Sequence, residues 1–104
     1  MAITAVTTWE CTPAAMELLV AGSNAAAELH ESLGAKNARL LRDSHGSPTV
    51  AHYAIDFDSH EAYGAFTDAI MAHEWWTQMT ATVAEAYPDV QMKGTTVFYD
   101  ALQG

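Results

Sequence analysis

Imidazole is the side chain best suited to proton transfer near neutral pH, and this chain carries five: His30, His45, His52, His60 and His73. His45 falls in a turn cluster and His60 in the first turn of a helix, so both are expected in water. His30 lies on the apolar flank of the first helix and reads as a hydrogen-bonded boundary residue. His52 and His73 are the interesting pair. His52 sits in a strand that should be covered on both faces, and His73 at a helix break on the side of Phe66 and Ile70. A polar ring in such a place needs a partner or a cavity. The plain reading is a structural imidazole bonded to a backbone carbonyl, Asp56 or Tyr99. The functional one is a general acid or base, with Tyr53 or Tyr63 as a second polar tip.

Other chemistries find less support. Three His-Glu dipeptides suggest a zinc helix, but Gly34, Gly64 and Thr77 stand four residues after His30, His60 and His73, so H-E-x-x-H is absent each time. No two histidines lie three to five residues apart, and no metal site is expected. Cys11 is the sole cysteine and reads as a buried structural thiol more readily than as a nucleophile. No phosphate-cradling glycine loop occurs, and no cofactor is expected.

The elements that must position these residues follow from pattern. Residues 2–11 are rich in β-branched and aromatic types, with Ile3, Ala5, Thr7, Trp9 and Cys11 on one face, which predicts a strand. Thr12 before Pro13 starts a helix and Gly34 stops it. At 100° per residue, Leu18, Leu19, Gly22, Ala26, Leu29 and Leu33 share its apolar side. Residues 36–44 and 49–57 then form a hairpin around the turn residues Ser44 to Pro48.

Asp58 to Glu61 offers a capping box, so a second helical region opens near residue 59. Its apolar face, Ala62, Tyr63, Phe66, Ala69 and Ile70, is rotated roughly 130° from the next set, Trp76, Met79, Val83 and Tyr87. One straight helix cannot bury both, so a break is expected near 71–74, with Glu74 opening a new helix that Pro88 helps to end. Residues 95–102 are expected to form the last strand.

The order is β-α-β-β-α-β, the split arrangement of a ferredoxin-like α+β domain spanning residues 1–104, with an antiparallel four-stranded sheet and helices on one side. Strand two should be an edge, protected by Lys36, Arg39 and Arg42. Both faces of strands three and four carry apolar residues, so a second copy of the chain is the expected cover for the face without helices.

Composition bounds the partners. Four Lys and Arg against thirteen Asp and Glu give a formal charge of −9, which disfavours nucleic acid and anionic membranes. No apolar run approaches the roughly 20 residues of a membrane span. With no basic residue before Lys36 and one cysteine, the expectation is a cytoplasmic protein.

As an element pattern, the chain resembles the dimeric α+β barrel superfamily, in which two ferredoxin-like protomers pack sheet on sheet. The helix from Asp58 to Ile70 followed by His73, Glu74, Trp75 and Trp76 is similar to the kinked helical region of those domains. The resemblance implies a homodimer and relatives that include cofactor-independent monooxygenases on aromatic polyketides, haem-degrading monooxygenases, cyclases, isomerases and stress-responsive proteins. Monooxygenase branches commonly place an asparagine, a tryptophan and often a histidine around the substrate. Here Asn24 falls on the polar side of helix one and Asn37 near the start of strand two, so the first strand offers no asparagine.

The expected ligand is a small hydrophobic or aromatic molecule held between sheet and helices by Trp9, Tyr53, Tyr63, Phe66, Ile70, Trp76 and Met79. The small residues Gly22, Ala26, Ala62, Ala65, Ala69 and Ala72 fit either close helix packing or an apolar cavity. The alternative is an enzyme, a cofactor-free monooxygenase, cyclase or isomerase with His73 or His52 as base and Trp76 as a packing wall. A filled core serving only structure is a third reading.

Overall fold

A computed structural model describes residues 1–103. The elements are β1 (Ile3–Cys11), α1 (Pro13–Ser32), β2 (Lys36–Arg42), β3 (Val50–Phe57), α2 (His60–Met71), α3 (Glu74–Ala86) and β4 (Val90–Phe98). The four strands form one antiparallel sheet in the order β2-β3-β1-β4, which is the ferredoxin-like arrangement expected from the pattern.

Local chemistry explains the element ends. The Ala15 amide donates to Thr12 Oγ1, capping α1 next to Pro13, and Gly34 leaves the helix at φ 108°. The second cap differs from expectation. Ser59, not Asp58, accepts from the first turn of α2, through the Ala62 amide at 3.0 Å. Asp58 instead turns outward to the Lys36 ammonium, 2.8 Å away. The helical break falls where the two apolar faces go out of phase, between Met71 and Glu74.

Both helical units lie on one face of the sheet. Ile3, Ala5, Trp9 and Cys11 of β1, Ala51, Tyr53, Ile55 and Phe57 of β3, and Val90 of β4 point toward them and are buried. From the helices, Met16, Leu19, Phe66 and Ile70 complete this core. Phe57 packs against Tyr63 and Phe66 at ring-centroid distances of 5.2 and 5.0 Å. Leu18, expected on the buried side of α1, is exposed at its margin.

The last strand begins five residues earlier than expected and ends at Phe98. The cause is a bulge: Trp9 pairs with Met92, but Thr8 pairs with Gly94, so β4 spends one extra residue there. The inward positions are Val90 and Met92 before the bulge, Thr95 and Val97 after it. Alternation read across residues 90–97 therefore fails.

The opposite face carries Thr4, Val6, Thr8, His52, Ala54, Asp56 and Phe98. Here Asp56 accepts from Thr4 Oγ1 at 2.8 Å, from Asn37 at 3.2 Å and from Arg39 at 3.3 Å. Burial pushes its carboxyl pKa up, but these three donors outweigh it and hold the pKa below the ordinary value. Phe98, at the end of β4 on this uncovered face, is exposed, as are Tyr99 and Leu102 just after the strand. No helix is long and apolar enough to cross a membrane among the described residues.

Candidate functional site

The two helical units barely touch one another, and between them, above the sheet, lies a cavity of about 460 Å³. Its floor comes from β1, β3 and β4, one wall from α1 and the other from α2 and α3. Gly22 and Ala26 make room on α1, since a Cβ on Gly22 would meet no atom within 4 Å. Ala65, Ala69 and Ala72 are exposed and contribute nothing to this space.

All seven residues expected to hold a ligand line the cavity. Trp9 and Tyr53 rise from the sheet, Tyr63, Phe66 and Ile70 from α2, and Trp76 and Met79 from α3. The two histidines expected to do chemistry do not. His52 occupies the opposite face of the sheet, where Nδ1 lies 3.1 Å from Thr8 Oγ1. Alternation along β3 puts it there, because Tyr53 must face the helices. His73 is exposed, and Nδ1 accepts from the Trp75 amide at 3.0 Å as the N-cap of α3. It closes a helix end, replacing the Ser, Thr, Asp or Asn usual in that role.

The imidazole in the cavity wall is His30, whose place on the flank of the first helix marks it in sequence only as a boundary residue. Only 6% of it is exposed, and Nδ1 lies 2.7 Å from the Tyr53 hydroxyl. Nε2 is buried and has no hydrogen-bond partner among the described residues. The ring is fenced edge-on by Trp75 at 4.7 Å, Tyr53 at 5.4 Å and Phe66 at 5.6 Å. The signal was present in spacing: Ala15, Leu19, Ala26 and His30 continue one helical stripe at steps of four and seven.

Burial sets the protonation of this pair. Desolvation lowers the His30 pKa to about 4 and leaves the ring neutral at pH 7. For Tyr53, desolvation first and the Glu31 charge second raise the pKa to about 12, so the hydroxyl keeps its proton. Two neutral groups thus share one hydrogen bond. No Asp, Glu, Lys or Arg lines the cavity among the described residues. Cys11 is buried away from it, and desolvation pushes its thiol pKa up, opposite to what a reactive thiolate needs. No group of three His, Cys, Asp or Glu stands close enough to hold a metal among the described residues.

No model of a known protein family matches the chain, and no curated protein matches it. Solved structures do. A dimeric ferredoxin-like protein from an uncultured marine organism superposes with a TM-score of 0.73 at 12% identity, covering 96% of this chain and 95% of the other. An antibiotic biosynthesis monooxygenase candidate from Deinococcus radiodurans gives 0.71 at 16%, covering 97% and 93%. A variant of a cofactor-independent oxygenase from Streptomyces nogalater gives 0.65 at 16%, covering 96% and 93%. At such identities the likeness is one of fold, and the class it defines is a ferredoxin-like α+β chain similar to dimeric barrel proteins.

Proposed function

We propose that this chain binds a small hydrophobic or aromatic molecule in the cavity between sheet and helices and does so as a homodimer. The observation that carries the reading is the cavity itself. Its volume lies within the roughly 300–1,000 Å³ of small-molecule sites, and aromatic and aliphatic side chains dominate its walls. The homodimer is supported by the helix-free sheet face, by the apolar tail of β4 and by the dimeric neighbour of the same fold.

The test is native mass spectrometry of protein purified from cells, followed by denaturing extraction. The expected result is one apolar compound per protomer on a dimer of 11.2 kDa chains. An empty protein that also fails to bind hydrophobic dyes contradicts the reading and leaves a filled structural core.

The likeness to a cofactor-independent oxygenase favours a second reading, in which the bound molecule is converted as well as held. On this chain the group that would contact the substrate in such a reaction is His30, the one histidine in the cavity wall among the described residues. Burial keeps it unprotonated at pH 7 and, with a pKa of about 4, makes it a hydrogen-bonding partner more than a strong base. Turnover that survives His30→Gln unchanged contradicts that assignment.

A further inference from the structure

We propose that His30 and Tyr53 form a polar subsite that selects an uncharged aromatic ligand carrying one hydroxyl, a phenol or naphthol. The proposal rests on the cavity reading above and adds what the ligand must look like. Its first support is the orphaned Nε2 of a ring that is 94% buried, given its 6% exposure, in the cavity wall. Buried polar atoms in folded proteins nearly always have a partner, and an unmade hydrogen bond at such an atom is costly.

The other nitrogen is already committed to Tyr53, and that bond makes the ring's two nitrogens unequal. When the Tyr53 hydroxyl donates to Nδ1, Nε2 carries the proton. When Nδ1–H donates to the Tyr53 oxygen, Nε2 offers a lone pair. A ligand hydroxyl answers either state, since it both donates and accepts. A carbonyl answers only the first, and an amine cation would bring a buried charge with no counter-ion.

The second support is electrostatic. None of the four basic residues lines the cavity among the described residues, and the chain carries a formal −9. A carboxylate entering here would lose its water and find no cation, so anions are excluded by desolvation. The aromatic fence then sets ring geometry. Trp75, half-buried at the start of α3, stands 4.7 Å from the imidazole and screens it from solvent.

The experiment is calorimetric titration of the full-length protein at pH 7 with three probes of one shape: naphthalene, 2-naphthol and 2-naphthoate. The expected result is naphthol binding about tenfold tighter than naphthalene, the ratio a single well-placed hydrogen bond gives, with naphthoate not binding. In a His30→Phe, Tyr53→Phe double variant, which removes both polar atoms of the subsite, the two uncharged probes bind equally, and His30→Gln alone keeps part of the preference. Naphthalene binding as tightly as naphthol, or naphthoate matching naphthol, overturns the subsite while leaving the cavity reading in place. Failure of all three probes overturns both. The wild-type comparison decides the matter even where a substituted chain does not fold.

Discussion

The backbone amide of Trp75 donates to the imidazole of His73, and this 3.0 Å bond across two residues is what starts α3. The same two residues divide the labour at the helical break, His73 facing water and Trp75 facing His30. The expected consequence is that His73→Ala lowers stability by about 1 kcal/mol, the usual cost of losing a cap, and that His73→Asp retains it. Ligand affinity should be unchanged. Urea denaturation beside a binding isotherm checks both, and lost binding at unchanged stability would return His73 to the site.

His30 makes folding acid-sensitive in a defined window. Its folded pKa of about 4 lies below the ordinary 6.5, so the unfolded chain binds the proton more readily. The stability this neutral ring permits is complete above about pH 6.5, declines as pH falls and levels off below about 4. The full difference has a ceiling of about 3 kcal/mol. Denaturation midpoints measured from pH 7 to 4 should fall less steeply in His30→Phe than in wild type. Equal slopes contradict the buried neutral ring.

Two glycines should respond oppositely to the same change. Gly94 has φ 131° and open space around its Cα, so Gly94→Ala is opposed by backbone strain alone, about 1–3 kcal/mol. Gly22 lies within α1 with equal room, and Gly22→Ala should stabilise by up to about 1 kcal/mol through helix propensity. Thermal melting of the two variants measures the contrast.

Phe98 is half-exposed on the helix-free face at the end of an edge strand. Phe98→Asp should shift the protein from dimer toward the 11.2 kDa monomer in light scattering, with the far-ultraviolet circular dichroism preserved. A wild-type protein that is monomeric at micromolar concentration contradicts the dimer outright.

Much of the fold was legible because single residues forced it. The phase slip between Phe66 and Trp76 located the helical break, and Lys36, Arg39 and Arg42 marked an edge that β2 occupies. The seven apolar and aromatic cavity residues were legible for the same reason, since burial and amphipathic phase coincide. What escaped depended on more than one element. Ser59 rather than Asp58 holds the cap of α2, while Asp58 pairs with Lys36 on a strand distant in sequence. His30 gained its importance from Tyr53, a partner that only the β3 register brings alongside. The place of His52 is not legible in sequence, because β3 is apolar on both faces and only the packing of Tyr53 against the helices fixes which side His52 takes.

The surplus residue in β4 has a consequence for how the chain tolerates length changes. Removing either Lys93 or Gly94 restores strict alternation between Met92 and Thr95 without turning any later side chain to the wrong side, so Val97 keeps its place opposite Ala5. Removing a residue from Thr95 onward inverts everything that follows. The bend goes with the surplus residue, because a bulge is what adds local twist to a strand. Backbone length at residues 93–94, independent of side-chain chemistry, therefore sets the local twist of β4. A one-codon deletion there would relax that twist while leaving Val97 opposite Ala5 and Phe98 opposite Thr4.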